Sequence, residues 1–528
     1  MKNKIYIPLL FSFALILGII LGGVLNYPKN KTSLFFNKNQ HEEKIKRLID
    51  YIQYDYVDKV ETDSLLDGAI NNILEKLDPH SVYIPASEHD GINERMNGEF
   101  VGIGIQFRFY KDSLTVIRVI EDGPSEKAGI KAGDRILIAN KDTLFDRELD
   151  NAYIFKTLKG KPQTKVALKI YRKSEQEIID FTIKRGRIPI KSIDAVYMLN
   201  ESLGYIKINK FASTTYKEFK TGLTSLLEQN MTHLVLDLRG NPGGYLDIAT
   251  QIIDEFLEDD KLIVFTKNKG GKIDKTFATK RGDFENSKLY VLIDENSASA
   301  SEIVAGALQD NDKGVIVGRR SFGKGLVQQE MDLGDGSAVR LTVARYYTPT
   351  GRSIQKPYDG ENGANYYNDR LMRIHNGELI NADSIKVNDS LRYVTPKGKV
   401  VYGGGGIVPD VFVGIDTTAY YGRFHYAKMN DFVFDYVDNH RKKVNSWTLD
   451  SFENNFEKEA IFKQYLNIIE EETINPQAYE NSNLKRYLRA LFAQHLFEGT
   501  IFYKILNEKD KMLAKVLELE KQSEKKEM

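Results

Sequence analysis

Read for the spacing of its apolar positions, the chain falls into stretches of distinct period. Ile5 to Leu25 is an apolar run without a charge, preceded by Met1-Lys2-Asn3-Lys4 and closed by Asn26-Tyr27-Pro28; about twenty such residues suffice to span a bilayer as a helix. Residues 29–40 are polar and Asn/Lys-rich, which suits a tether. From 41 to 77 apolar side chains return at helical spacing, with Ile45, Leu48, Ile49, Ile52 and Tyr56 on one face. Residues 97–186 read as a small β-rich module, with strands around Phe100 to Ile105, Leu114 to Ile120 and Val166 to Ile170 and a helix-like segment near Glu148 to Leu158. From 187 to about 420 strands and helices alternate: a strand at Leu203 to Ile208, a helix around Tyr216 to Leu227 and a buried strand at Leu234 to Asp237. Such alternation marks an α/β core. Residues 421–528 are charged and helical, with Leu484, Tyr487, Leu488, Leu491 and Phe492 on one stripe, and Phe432, Tyr436 and the single tryptophan, Trp447, add aromatic mass. Such a stripe is by default a packed face, here of a cap, a lid or a dimerisation element. The end, Lys521 to Met528, reads as frayed.

Length and composition narrow the class. At 528 residues the chain exceeds one hydrophobic core. Lys plus Arg balance Asp plus Glu at 74 each, so no global charge argues for nucleic acid or a polybasic membrane role. The absence of cysteine excludes disulfides, thiolate metal sites, a cysteine nucleophile and lipid attachment at a cysteine. Neither a nucleotide-binding fingerprint nor a metal-ligand motif is present, so no cofactor and no metal are expected. The apolar run 5–25 is long and lacks a clean Ala-x-Ala-like site, which favours a transmembrane signal anchor over a cleaved signal peptide. Lysines flank both ends (Lys2 and Lys4, Lys29 and Lys31), so charge asymmetry does not fix orientation. Either reading means export. The expectation is a single pass through the inner membrane, with the bulk of the chain in the periplasm or otherwise outside the cytoplasm.

Candidate chemistry concentrates between 288 and 328. The apolar run Leu289 to Ile293 ends in Asp294-Glu295-Asn296; small residues Ser297 to Ser301 follow, then a helical stretch with Ile303, Val304, Ala307 and Leu308 on one side. That is a strand, a tight turn and a helix start, with Ser299 where free N–H groups and a partial positive charge point outward. A serine there can attack a carbonyl while the Ala300 amide stabilises the oxyanion. No histidine lies between 234 and 374, so a local Ser-His pair is excluded. After a second strand, Gly314 to Gly318, comes Phe322-Gly323-Lys324-Gly325. Burial beside Ser299 would lower the pKa of Lys324 from about 10.4 toward neutrality and make it a base. The bland alternatives are an N-cap serine and a solvated or phosphate-contacting lysine. Arg239-Gly240-Asn241-Pro242-Gly243-Gly244, at the end of a buried strand, exposes further amides; Gly243 or Gly244 is the candidate second oxyanion donor. Asp237 and Arg239 read as a structural ion pair, and Arg319-Arg320 as solvent-facing.

SASASEIVAGALQD followed by VGRRSFGKGLVQ closely resembles the signature of the carboxy-terminal processing (tail-specific) serine proteases, and LVLDLRGNPGG at 234–244 is similar to that family's second signature. The resemblance runs from about residue 65 to 412. It implies a Ser/Lys dyad with Ser299 as nucleophile and Lys324 as base, Gln328 supporting the lysine, and Asp310 at an acidic position near the site. Ser297 and Ser301 are then helix-start hydrogen-bonding residues. It also implies a crotonase/Clp-like ββα protease core over 187–420, within a multidomain α/β chain that has a helical region at 41–95 and another at 421–528. Leu77-Asp78-Pro79-His80-Ser81 resembles the family's LDPxS stretch, where His80 reads as a loop or packing residue. The order of segments over 97–186 resembles a PDZ domain. In such domains a loop like Gly102-Ile103-Gly104-Ile105 receives a peptide's terminal carboxylate and the peptide adds as a strand to the sheet edge. Many relatives have Leu/Ile-Arg-Gly after the PDZ helix; Leu158-Lys159-Gly160 keeps the charge but not the bidentate fork. Ala344 to Gln355 and Gly406-Ile407-Val408-Pro409-Asp410 resemble two stretches that lie close together in many relatives, so 356–405 reads as an inserted surface excursion near the substrate side.

The expected function is an exported serine endopeptidase that cuts near the C-termini of unfolded or tail-bearing proteins, its PDZ domain binding the substrate tail. The partners expected are protein or peptide substrates with free C-termini and the membrane, without nucleic acid; a homo-oligomer or a regulatory adaptor stays open. The alternative is a catalytically silent PDZ adaptor binding protein tails at the cell envelope. An acyl-CoA enzyme, suggested by the core fold alone, leaves the PDZ module and the anchor without a role.

Overall fold

The computed structural model describes residues 12, 13, 15–17 and 40–527, apart from 111, 146–148, 359–362, 417–421, 473–481 and 498. The apolar run 5–25 thus lies almost wholly outside the described residues; among those described, no helix is long and apolar enough to cross a membrane. Contacts divide the chain into two compact units, Met1–Ile70 and Asn71–Met528.

The first unit contains α1 (Gln40–Tyr54) and most of α2 (Thr62–Glu75). The helical period expected through 77 is broken at 55–61, and Tyr56 lies in that break rather than on a helix face.

In the second unit, β1 (Val82–Ile84) and α3 (Ala86–Asn97) lead into β2 (Glu99–Gly102). The β-rich module follows: β3 (Ile105–Tyr110), β4 (Ser113–Val119), α4 (Pro124–Ala128), β5 (Asp134–Ala139), β6 (Asp142–Thr143), α5 (Asn151–Leu158), β7 (Lys165–Arg172) and β8 (Glu177–Lys184). Its strands pair in the order β3-β4-β5-β7-β8, which leaves β3 an edge. The module is closed at its base by β9 (Gly186–Pro189), antiparallel to β2.

The α/β core runs through β10 (Ile193–Met198), β11 (Leu203–Ile208), α6 (Thr215–Leu227), β12 (His233–Asp237), α7 (Leu246–Asp254), β13 (Leu262–Asn268), β14 (Ile273–Phe277), β15 (Lys288–Ile293), α8 (Ala300–Asp310), β16 (Val315–Gly318), β17 (Leu326–Asp332) and β18 (Ala338–Tyr347). The inserted residues carry α9 (Gly363–His375), β19 (Arg392–Val394) and β20 (Val400–Tyr402), and β21 (Val411–Phe412) follows them. The main sheet has the order β10-β11-β12-β15-β16-β21 and is parallel except for β10. A second, antiparallel sheet joins β1, β18, β13 and β14, with β17 on β18.

Continuous apolar strands are what a sheet buried on both faces requires. Alternate residues point to opposite faces: Leu234, Leu236, Val291 and Ile293 pack under α6, α7 and α8, whereas Val235, Tyr290 and Leu292 meet Met512, Leu513 and Val516. Those last three belong to α16 (Lys511–Glu527), the final helix of a series comprising α10 (Gly422–Asn439), α11 (Arg441–Val444), α12 (Leu449–Lys458), α13 (Ile461–Glu472), α14 (Ser482–Leu496) and α15 (Gly499–Asn507). The expected fraying from Lys521 is not found: α16 is helical to Glu527, and buried Glu520 accepts from Tyr290 at 2.6 Å and pairs with His233. The apolar stripe of α14 has its own core with α10, α12 and α13.

This helical region also grips the β-rich module. Asp431, Asp435 and Asp438 lie on one face of α10; Asp431 receives Arg108, Asp435 receives Tyr110, and Asp438 receives Arg135 at 2.9 and 2.7 Å and Lys173 at 3.0 Å. The Arg441 guanidinium lies on the Cα of Gly133, where a Cβ would come within 2.6 Å of Nε.

Candidate active site

The loop between β15 and α8 is held from below. Ser297 Oγ donates to Leu238 O at 2.9 Å and accepts from the Asp294 amide at 2.9 Å, while Ser301 Oγ donates to Asn241 O at 3.0 Å. Between them Ser299 has φ 55° and ψ −114°, a backbone conformation costly for a residue with a Cβ. Its side chain is half-buried.

One carboxylate organises both loops of the site. Glu302, fully buried on the first turn of α8, accepts from the Ser299 amide at 2.9 Å and the Lys324 amide at 2.8 Å through Oε2. Through Oε1 it accepts from Ser321 Oγ at 2.5 Å and the Gly323 amide at 2.7 Å. Burial pushes its pKa up against the pull of these donors. Tyr346, buried on β18, adds a second tie, its hydroxyl directed at Lys324 O at 2.7 Å and Ser299 O at 3.2 Å. Sequence reasoning missed both residues. The spacing Ser299-x-x-Glu302 is that of a capping box, a readable signal; nothing in the sequence points to Tyr346.

The Lys324 amine donates to Gln328 Oε1 at 2.7 Å, and Gln328 Nε2 donates to the carbonyl of His80. Burial lowers the pKa of Lys324 to about 8; Arg340 adds to the fall, while Glu302 and Asp78 oppose it. The neighbouring ammonium and, first, burial hold the His80 ring near a pKa of about 4. Among the described residues no hydrogen bond joins Ser299 Oγ to Lys324 Nζ.

Gly243 and Gly244 differ in what their amides do. The Gly243 N–H donates to Asn241 Oδ1 at 2.8 Å. Its Cα faces the nucleophile loop so closely that a Cβ would lie 2.8 Å from Ser299 Cβ and 2.9 Å from the Ala300 amide nitrogen. The Gly244 and Ala300 amides donate to no carbonyl or side chain among the described residues.

Asp310 does not join this group. It sits at the far end of α8 in an ion pair of 2.7 Å with Arg352, both side chains wholly buried, and it accepts from Thr350 Oγ1 at 2.6 Å. Ten residues of helix at about 1.5 Å each separate it from the start of α8, so it supports the Thr350–Arg352 turn instead. Asp237 and Arg239 form a buried pair at 2.6 Å with Tyr205 and Asp510 around it. Arg319 and Arg320 do not face solvent: Arg319 meets Glu295 at 2.8 Å and Arg320 binds Glu378 through two nitrogens at 2.7 and 2.6 Å.

In the β-rich module, Gly102 ends β2 and Ile105 begins β3, with buried Ile103 and Gly104 (φ 78°) between them. The carbonyls of Ile103 and Gly104 accept from the amides of Ser125 and Ile120, both at 2.9 Å, which ties the loop to α4 and to the residue after β4. Lys159 is bound to Glu94 of α3, and its ammonium lies 5.0 Å from the Phe100 ring centre and 5.2 Å from that of Phe155.

Comparison with known proteins follows the same divisions. Residues 202–360 match peptidase family S41, residues 101–183 a PDZ domain, and residues 26–87 the activating protease CtpB N-terminal domain. Residues 425–499 match a family of unknown function. The carboxy-terminal processing protease CtpB of Bacillus subtilis is 34% identical over 320 residues, 60% of this chain and 65% of that protein, just under two thirds of its length. A probable CtpA-like serine protease of Staphylococcus epidermidis is 34% identical over 364 residues, 67% of this chain and 73% of that one. Among solved structures, the photosystem II D1 C-terminal processing protease aligns with 70% of this chain and 86% of its own, at 24% identity and a TM-score of 0.35.

Proposed function

This chain belongs to peptidase family S41, the carboxy-terminal processing serine proteases, and from that premise we propose that Ser299 and Lys324 form its catalytic dyad. The observation that carries the proposal is the shared anchoring of the two residues. Their main chains are tied to one oxygen of Glu302, and the lysine amine beside them is buried with its pKa near 8. A neutral amine takes the Ser299 proton as Oγ attacks the scissile carbonyl. The oxyanion is held by the N–H groups of Ala300 and Gly244, Gly243 being engaged by Asn241. Collapse of the tetrahedral intermediate expels the amine, which takes the proton back from Lys324; water, deprotonated by the same lysine, then releases the acyl group. For attack, Nζ leaves Gln328 Oε1 and turns to Ser299, so the Lys324–Gln328 bond belongs to the resting enzyme.

The substrate is a polypeptide with a free C-terminus, bound as an added strand on the open edge of β3 with its carboxylate at Gly102–Ile105. The chain acts outside the cytoplasm, held by the apolar run 5–25. In the decisive experiment, protein from residue 29 onward is incubated with an unfolded reporter, and every fragment is read by intact mass. Wild type cleaves near the reporter's C-terminus, and Ser299→Ala and Lys324→Ala, folded as judged by thermal melts, do not. Cleavage by either variant overturns the dyad. Binding of tails without cleavage by any of the three favours an adaptor.

A further inference from the structure

Much of the insertion 356–405 is exposed, as expected of an excursion near the substrate side, but one face of it is buried. Helix α9 places Tyr366, 5% exposed, against the active site. Its ring packs edge-on to His80 at 5.1 Å between centres and to Phe322 at 5.9 Å. Lys356 lies 4.0 Å from the ring centres of both Phe322 and Tyr366, with its ammonium donating to Tyr366 O at 3.0 Å and pairing with Asp369 at 3.3 Å. Arg373, one turn or more further on, donates to Ser321 O at 2.8 Å.

The phenol of Tyr366 closes a circuit of hydrogen bonds around the lysine. Lys324 Nζ donates to Gln328 Oε1 at 2.7 Å, and Gln328 Nε2 donates to His80 O. The His80 ring meets the Tyr366 hydroxyl at 2.7 Å, and Gln355 Nε2 donates to the same hydroxyl oxygen at 3.2 Å. Gln355 Oε1 then accepts from the amide of Gly325, the residue after Lys324, at 2.8 Å. Because His80 is neutral and Gln355 supplies the phenol oxygen with a donor, the phenol's own proton is assigned to His80 Nε2, in the Nδ1–H tautomer.

We propose that Tyr366 is a positioning residue for the lysine: through His80 and Gln328 it fixes where the Lys324 amine sits in the resting enzyme, so that the insertion sets the position from which the amine turns to Ser299. The inference rests on Lys324 being that base. Loss of the phenol frees His80 to tilt, and with it the carbonyl that orients the Gln328 amide. A flipped amide presents N–H donors to an ammonium, so the amine leaves its buried position. The charged or titratable groups facing Lys324 are Glu302 from α8, Arg340 from β18, and Asp78 and His80 from the segment before β1. Tyr366 itself stays neutral, so Tyr366→Phe alters geometry without removing a charge.

The test compares wild type, Tyr366→Phe, His80→Phe and the double variant in kcat, KM and pH profile. In parallel, the ionisation of Lys324 is read by competitive acetylation with acetic anhydride and peptide mass spectrometry in a Ser299→Ala background, which needs no turnover. Tyr366→Phe should lower kcat about five- to tenfold, the loss of one neutral hydrogen bond, with KM changed less than about twofold. Both the acid limb of kcat and the acetylation midpoint of Lys324 should move upward. The double variant should be no slower than the slower single one. An unshifted midpoint in folded Tyr366→Phe, or losses that multiply in the double variant, overturns the proposal. A midpoint that moves in acetylation but not in kcat supports the positioning and removes Lys324 as the base. If Tyr366→Phe does not fold, His80→Phe breaks the same bond from its other side and is read in the same way.

Discussion

Four donors converge on the two oxygens of Glu302, and the consequence of losing that convergence is calculable. Glu302→Gln replaces one accepting oxygen by an NH2 group facing donors, and each stranded buried donor costs about 1–3 kcal/mol. We expect a loss of about 2–4 kcal/mol in denaturant unfolding together with loss of turnover; an unchanged midpoint would show that the loops are held otherwise. Lys324 has the opposite character, since folding places a cation where burial disfavours it. Its folded pKa, about 8, lies below the unfolded value near 10.4, so between those pH values the unfolded chain binds more protons and stability rises with pH. Lys324→Met should therefore melt above wild type at pH 7, with the gap closing by pH 10. Turnover by wild type should rise through pH 8 as the amine becomes neutral; a flat profile from pH 6 to 10 would remove the lysine base. The loops that carry Ser299 and Lys324 were legible as turns after strands, because their small residues and glycines have turn chemistry. What separates the Gly243 amide from that of Gly244 was not legible, because it depends on one side chain, Asn241, capturing the first amide. Asp310 looked near in sequence, yet a helix carries it away from its own N-terminus.

At the scale of elements, α10 shows what periodicity conveys and what it omits. Its apolar face was readable as a packing stripe, but Asp431, Asp435 and Asp438 on another face appeared only as part of a charged segment. Their partners lie on β3, β5 and after β7, some three hundred residues earlier, and no local pattern encodes such pairing. The pairs are unequal. Asp438 is almost fully buried beside Arg135, Lys173 and Arg441; burial alone would raise its carboxyl, but Arg135 and Lys173 hold it far below the usual range. Removing one partner of such a buried pair costs about 3–5 kcal/mol, whereas an exposed pair contributes about 0–1 kcal/mol. Asp438→Asn should speed hydrogen exchange in β3 to β5 while leaving β12 and β15 protected, and Asp431→Asn should change exchange little. Equal effects of the two variants would mean that the module is held elsewhere. The interaction that Asp438 contributes is present above the unfolded carboxylate pKa and is lost only as pH falls through its depressed folded value. Docking of the module should thus persist at pH 5. The insertion that carries α9 was readable as lying near the substrate side, but its buried face was not, since a polar, Tyr- and Asn-rich segment reads as surface when its aromatic partners are distant in the chain.

For the whole molecule, the alternation of strands and helices predicted the main sheet well, because a sheet covered on both faces leaves long apolar runs. It did not predict which element covers the second face. Helix α16 does so, with Met512, Leu513 and Val516 on Tyr290, Leu292 and Val317, and the charged composition of the last residues concealed it. Leu513→Asp places a charge where the side chain is 2% exposed, and a loss of about 3–5 kcal/mol is expected in urea unfolding of the protease core. A core that unfolds unchanged would reduce α16 to an accessory.

The shared carboxylate has a kinetic consequence as well. Because the segments carrying Ser299 and Lys324 hang from one oxygen of Glu302 and one hydroxyl of Tyr346, thermal displacement of either segment carries the other with it, and their mutual registration survives the motion. On the proposed dyad, the step from the resting arrangement to the reactive one is then a torsion of a single lysine side chain, not a rearrangement of backbone. Such torsions are fast beside domain closure. A stopped-flow trace of acyl-enzyme formation should accordingly begin without a lag once substrate is bound.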